Sequence, residues 1–177
     1  MQNDDKGIPM SAHASWQIIQ KIPEEISKNV AFKNLMSGGT DSFSHRTVLS
    51  TFKPAHNSLL EMVEKYSNCL NDIQLYLTII ISKKFATGGN FDAEQSFSNE
   101  IDGIMLKIRE IPYALFSFGK EHKNILMMQP GYIENTKDAD MDVSPIIGHR
   151  IWLREQITYL NRTARMVAVM YKTLCIE

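Results

Sequence analysis

The chain has little cysteine, no long apolar run and no recognisable catalytic motif. Its 177 residues include two cysteines, Cys69 and Cys175, and a disulfide scaffold needs a denser pattern. The N-terminal Met1–Asp5 is polar and acidic, so no Sec signal peptide is visible. The longest apolar stretch, Ile73 to Ile81, is too short and too interrupted to span a bilayer. We therefore expect no membrane span, and a protein that is cytoplasmic or exported by a route without a cleaved signal.

An excess of either charge is also missing. The 19 basic and 20 acidic side chains give a formal net charge of -1, which argues against bulk attraction to nucleic acid or to an anionic membrane. Hydrophobic residues make up 44% and charged residues 22% of the chain, which is near the average for a soluble domain. We expect residues 1–14 to form a flexible N-terminal tail, because they show no hydrophobic period, and residues 15–177 to fold as a single helical-bundle domain.

The motifs of several common chemistries are absent. The pairs Gly38–Gly39 and Gly88–Gly89 lack the third glycine or the Lys-Ser/Thr of a phosphate-binding loop. The five histidines show no zinc-ligand spacing with another histidine or a cysteine. The acidic run Asp138–Asp142 begins like a calcium loop, but Val143 and His149 stand where Gly and Glu are needed. We expect no metal, no cofactor and no enzymatic activity.

What the sequence does contain is apolar residues at an unbroken 4-3-4-3 spacing in three stretches. Such a period of about 3.5 residues lines one side of an α-helix, and that side must be buried against another helix. The three stripes are Leu59, Val63, Tyr66, Leu70, Ile73, Leu77, Ile80; then Phe97, Ile101, Ile104, Ile108, Ile111; then Leu153, Ile157, Leu160, Ala164, Val167, Tyr171, Leu174.

Helix-breaking residues set the predicted bounds. Pro54 precedes a long helix over about 55–85, and Thr87–Asn90 stops it. Asn90 or Asp92 caps a second helix that ends at Ile111, before Pro112, and Ser144 caps the last helix. The alternating β-branched residues of 73–81 leave a strand open there.

The remaining segments are shorter. Trp16, Ile19 and Ile22 indicate a short helix that Pro23 interrupts, and a second short helix begins at that proline. Residues 113–133 predict a β-hairpin around Gly119–Lys123, or two short extended segments on either side of that turn. The predicted fold is mainly α: a bundle of three long antiparallel helices, with short N-terminal helices and a small β-hairpin insertion.

Four arginines of the last helix are candidate partner-binding residues. Arg150 and Arg154 are four residues apart, and Arg162 and Arg165 three apart, so each pair shares a helix face. One interpretation is a solvated face opposite the apolar stripe. The other is a docking strip for an acidic protein partner; nucleic acid is disfavoured because the cluster is small and lacks interleaved exposed aromatics.

The chain therefore predicts a non-enzymatic helical interaction or assembly protein that binds a protein partner or itself. The alternative is a helical regulatory domain that binds a small apolar ligand. Its pocket would lie among Met105, Met127, Met128 and Trp152, because methionine and aromatic side chains adapt to apolar ligands.

The middle of the chain also resembles a known family. The pattern lies in Leu49-x-Thr51, Ala55-x-x-x-Leu59-x-Glu61-Met62, Leu70-x-x-Ile73, Ala86–Asn90, Glu100-Ile-Asp-x-Ile104-x-x-x-Ile108, Phe116–Lys120 and Ile125-Leu126. Over residues 49–126 this is similar to the helical core domain of bacterial flagellins and hook-associated junction proteins, without their polymerising terminal helices. The resemblance implies a long helix, a Gly/Asn turn, a second helix and a hairpin in that order. It also implies a subunit or adaptor of a flagellar or secretion-type assembly.

Overall fold

The computed structural model of the chain describes residues 10–37, 45–122 and 144–176, which form five α-helices. They are α1 (Met10–Lys28), α2 (Val30–Met36), α3 (His45–Ala86), α4 (Asp92–Glu121) and α5 (Ser144–Tyr171), and α5 continues into a π-helical turn at Lys172–Ile176. The prediction of a mainly helical protein is confirmed. Residues 73–81 are helical, within α3.

The predicted three-helix arrangement is wrong, because α1 is a fourth long member of the bundle. Ser15 of α1 donates to Asp72 of α3 at 2.8 Å, and Glu25 further along α1 pairs with Lys65. As residue numbers rise along α1, the numbers of the residues that they contact in α3 fall. α1 therefore runs antiparallel to α3. The contacts of α1 extend along both α3 and α5, and only α2 remains a short helix.

The direction of the last helix follows from its contacts with α3. α5 runs parallel to α3, since His56 contacts His149, Tyr66 contacts Thr163 and Tyr76 contacts Tyr171. α5 is antiparallel to α1 and to α4. Together α1, α3, α4 and α5 alternate in direction around one core, as in an up-down-up-down bundle.

Proline does not break the helices as predicted. Pro23, Pro54 and Pro112 all lie inside α1, α3 and α4. A proline within a helix costs about 3 kcal/mol. Apolar side chains on both sides of each proline are buried, and full burial of an Ile, Leu or Phe side chain is worth about 1.5–3 kcal/mol. These flanking residues are Ile19, Ile22, Ile26, Phe52, Ala55, Leu59, Ile108, Ile111 and Leu115.

The predicted β-hairpin is wrong for the same reason. Its first arm, Tyr113–Phe118, continues α4, and Leu115 and Phe118 extend the buried stripe of that helix. Its second arm, in residues 124–128, lies outside the described residues. The ranges 10–37, 45–122 and 144–176 contain no strand.

The stop between α3 and α4 follows the predicted chemistry closely. Gly88 has φ +72°, and the N–H of Gly89 donates to Lys84 O at 2.7 Å, so this turn ends α3 at the predicted stop. The predicted cap of α4 is wrong, because Phe91 occupies the N-cap position without a side-chain hydrogen bond, and Asn90 Oδ1 instead accepts from the N–H of Asp92 at 2.9 Å within the turn. At the other end of the chain, α1 begins at Met10, inside the segment that the sequence assigned to the tail; residues 1–9 lie outside the described part.

Candidate functional site

The four predicted docking arginines lie along α5, in two different settings. Arg150 is buried, and its Nη2 donates to the Ser37 carbonyl at 3.2 Å. Arg154 Nε donates to Leu35 O at 3.0 Å, and its Nη2 to Met36 O at 3.4 Å. The last carbonyls of a helix have no partner within it, and cations near them are favourable. These two arginines therefore hold the C-terminal end of α2 against α5.

Arg162 and Arg165 are exposed, about two and three turns beyond Arg154 along α5. Arg165 Nε donates to the side chain of Asn161 at 3.4 Å. The Arg162 guanidinium carbon lies 5.7 Å from the ring centroid of Tyr159. The structure thus brings Arg154 and Arg162 to one cleft, whereas Arg165 lies beside a different one, between α1 and α5.

The cleft that Arg154 and Arg162 share is called here the basic cleft. It has a volume of about 500 Å³ and lies where α5 faces α4. Its lining comprises Lys107, Ile151, Arg154, Glu155, Thr158, Tyr159 and Arg162. Three cations therefore surround this cleft, and Glu155 is the single carboxylate in its lining.

Tyr159 is the centre of the basic cleft. Lys107 Nζ of α4 lies 4.2 Å from its ring centroid, while Arg162 approaches the same ring. A cation over an aromatic face gains about 0.5–1 kcal/mol at an exposed site. Partial burial raises the pKa of the Tyr159 hydroxyl, and Arg162 partly offsets this. The ring thus contacts one cation of α4 and one of α5 in the same cleft.

Sequence reasoning found Arg154 and Arg162 but missed Lys107 and Tyr159. Lys107 is more than forty residues away and belongs to another helix, so its approach depends on how α4 and α5 pack. Tyr159 stands next to the stripe residue Leu160 and outside the 4-3-4-3 spacing. An aromatic residue three positions before an arginine on a helix, as Tyr159 is before Arg162, was the available signal.

A second cluster, called here the histidine cluster, lies at the end of the bundle where α3, α4 and α5 meet. His56 Nε2 and His149 Nε2 are 2.6 Å apart, and both residues are buried. His149 stacks on Phe118 with a centroid separation of 3.6 Å and an interplanar angle of 5°. Phe52 and Trp152 cover the pair on other sides.

The histidine pair is held in its uncharged form. Burial lowers the pKa of His56 to about 4. Burial, followed by the charges of His56 and His122, lowers the pKa of His149 to about 3. In the neutral pair one Nε2–H donates to the lone pair of the other ring. A first proton can bind Nδ1 of the donor ring, which leaves the hydrogen bond intact. A second proton would have to bind Nε2 of the acceptor ring, so that two N–H groups would point at each other.

Sequence reasoning looked for histidine pairs only by their spacing along the chain and missed this contact. His149 lies four residues before Leu153, and His56 three before Leu59, so both continue apolar stripes. Their stripe positions were a signal for burial, though not for mutual contact. The part of the chain that the structure describes holds no group of three or more His, Cys, Asp or Glu side chains that could hold a metal ion.

Only two of the four residues of the predicted ligand pocket, Met105 and Trp152, lie within the described part of the chain. Met105 is buried in the core on α4. Trp152 stacks on His149, at 5.6 Å between centroids. Met127 and Met128 lie outside the described residues.

No protein-family model, no curated protein sequence and no solved structure matches the chain. None of the described helices combines the length and the apolarity that crossing a membrane requires.

Proposed function

We propose that the chain is a non-enzymatic helical interaction protein whose basic cleft binds an acidic segment of a protein partner. The observation that carries this proposal is that Lys107 and Arg162 both approach the ring of Tyr159, in a cleft whose lining also holds Arg154 and a single carboxylate, Glu155. Electrostatic complementarity of this kind selects partners and accelerates their association.

The uncharged part of the lining supports a protein partner. Ile151 is half exposed at the edge of the cleft, and Thr158 offers a hydroxyl group beside it. Aromatic and arginine side chains next to apolar ones are typical of protein interfaces. The net charge of -1 gives no general attraction to a polyanion such as nucleic acid.

The architecture supports the non-enzymatic part of the proposal. The three cations of the basic cleft already contact a ring or backbone carbonyls. Its other polar groups are Glu155, Thr158 and Tyr159, and the structure describes no hydrogen bond between any two of them, whereas covalent catalysis needs a nucleophile bonded to a base. A subunit or adaptor role in a flagellar or secretion-type assembly is a finer proposal that rests on the sequence resemblance alone.

The proposal is tested with a fluorescently labelled peptide of alternating glutamate and leucine, whose binding is followed by fluorescence anisotropy. We expect saturable binding that weakens as salt is added, because salt screens exposed charges. The double variant Lys107→Glu/Arg162→Glu should weaken binding about ten-fold or more, since like charges then face the peptide.

The matched control is Lys172→Glu with Lys53→Glu, which changes the net charge equally at exposed positions outside the cleft. This control should bind the peptide with nearly the affinity of the unaltered chain. Equal weakening in both double variants would show that net charge, and not the cleft, attracts the peptide. Saturable binding that Lys107→Glu/Arg162→Glu leaves intact would also refute the proposal.

A further inference from the structure

The outer face of α4 carries a second stripe with heptad spacing, opposite the buried one. Leu106, Tyr113 and Phe116 are 63%, 77% and 72% exposed. Monomeric proteins rarely expose several large apolar side chains side by side. With three exposed charged residues they complete an unbroken 4-3-4-3-4 series: Asp102, Leu106, Arg109, Tyr113, Phe116, Lys120.

This series, called here the outer stripe, has the geometry of a coiled-coil seam. Its six positions fall within about 80° of the helix circumference at 100° per residue. They span 18 residue steps, or about 27 Å at 1.5 Å per residue. Asp102 also accepts a hydrogen bond from Gln74 of α3 through Oδ1. None of the six residues lines the basic cleft.

The outer stripe is complementary to itself when reversed. A second copy of α4, turned end over end about the level of residue 111, places 102 opposite 120, 106 opposite 116, and 109 opposite 113. These three layers pair Asp102 with Lys120, Leu106 with Phe116, and Arg109 with Tyr113. A carboxylate then meets an ammonium group, two apolar side chains meet, and a guanidinium group meets an aromatic face.

A parallel arrangement is unfavourable. It would set Asp102, Arg109 and Lys120 each against its own copy, so that three of six layers repel. In the antiparallel arrangement each of the three residue pairs forms twice, once on each side of a two-fold axis, so the interface involves two copies only. From these observations we propose that the chain forms an antiparallel homodimer through the outer stripe of α4.

The size of the stripe sets the expected affinity. A strip about 27 Å long and one helix wide lies at the small end of specific interfaces. The dimer should therefore dissociate on the order of micromolar concentration, and remain in exchange with the monomer.

Sedimentation velocity of the full chain, between about 5 and about 500 µM, tests the proposal. The weight-average mass should rise from one chain towards two. Phe116→Glu should keep it at one chain throughout this range, because a buried carboxylate would face Leu106 of the other copy. The matched control Leu75→Glu replaces a residue of α3 that is 60% exposed, and should dimerise as the unaltered chain does.

A charge exchange tests the antiparallel register. Asp102→Lys and Lys120→Asp should each shift the dimer midpoint to higher concentration, because each sets like charges opposite one another. The double variant Asp102→Lys/Lys120→Asp should restore the original midpoint. A monomer at every concentration, a dimer that survives Phe116→Glu, or a double variant as weak as the singles would each overturn the proposed interface.

Discussion

Acid should destabilise this protein through the histidine cluster, beginning near the pKa of an ordinary histidine. His56 and His149 have folded-state pKa values of about 4 and about 3, against 6.5 for an ordinary histidine. Between these limits the unfolded chain binds more protons than the folded one, so stability falls as the pH falls. The stability linked to the neutral pair is present above about pH 6.5, and it is lost as the pH falls to about 4 for His56 and about 3 for His149.

The magnitude follows from the same values. Between about pH 7.5 and about pH 5, each histidine that stays neutral in the fold costs about 2 kcal/mol by proton linkage. The pair therefore removes at most about 4 kcal/mol, a large share of the 5–15 kcal/mol typical of a domain. Among the described helices that pack against the pair, α4 contributes one more titratable neighbour of His149, His122. A charge on His122 lowers the pKa of His149 and so disfavours its charged form.

Urea unfolding, followed by tryptophan fluorescence at a series of pH values, measures this loss. His56→Leu/His149→Phe should flatten the dependence, because apolar replacement of both partners removes the titration and leaves no unpaired polar group. His13→Gln, on α1 and outside the cluster, should retain it. The reasoning is refuted if the double variant and the unaltered chain lose the same stability. It is equally refuted if NMR of the unaltered chain shows the His56 and His149 rings taking up protons above pH 5.5, a test that needs no variant.

Two further side chains should contribute measurable stability. Asn29→Ala should lower the free energy of unfolding by about 1 kcal/mol, because Asn29 Oδ1 caps α2 by accepting from the N–H of Phe32 at 3.0 Å; Asn29→Asp retains the acceptor and should lose much less. Tyr66→Phe should cost about 1 kcal/mol, because it removes a buried hydroxyl that donates to Thr163 at 3.0 Å. Urea unfolding at neutral pH checks both, and an unchanged midpoint in either variant would contradict its assigned role.

Helix identity could be read from the sequence wherever the stripes are long. The ladders from Leu59 to Ile80 and from Leu153 to Tyr171 lie in α3 and α5 as predicted. The stop at Gly88 was equally readable, because only glycine readily adopts the positive φ found there. Periodicity and backbone conformation are local properties, and a local pattern suffices to specify them.

The prolines mark where local reasoning failed. Pro112 predicts an end to α4, yet Leu115 and Phe118 lie beyond it in the core. Their burial depends on α3 being alongside, and Phe52 of α3 meets Phe118 edge to face at 5.9 Å. The cost of Pro112 within α4 was outweighed by contacts of α4 with α3, which cannot be read from the sequence of α4 alone. Because of the same packing, residues 113–118, which were predicted as the first arm of a hairpin, belong to α4. Two of them, Tyr113 and Phe116, are part of the exposed outer stripe.

The sequence alone determined that the protein is helical, which residues face inward along each long helix, and that α5 carries a row of arginines. Only the tertiary structure decided that α1 completes the bundle, that α5 runs parallel to α3, and that Lys107 meets Tyr159. It also decided that two histidines 93 positions apart share one hydrogen bond. Local periodicity fixes the face that a helix must bury. The choice of partner for that face depends on the summed packing of all the helices, and so do the distances between functional groups on different helices.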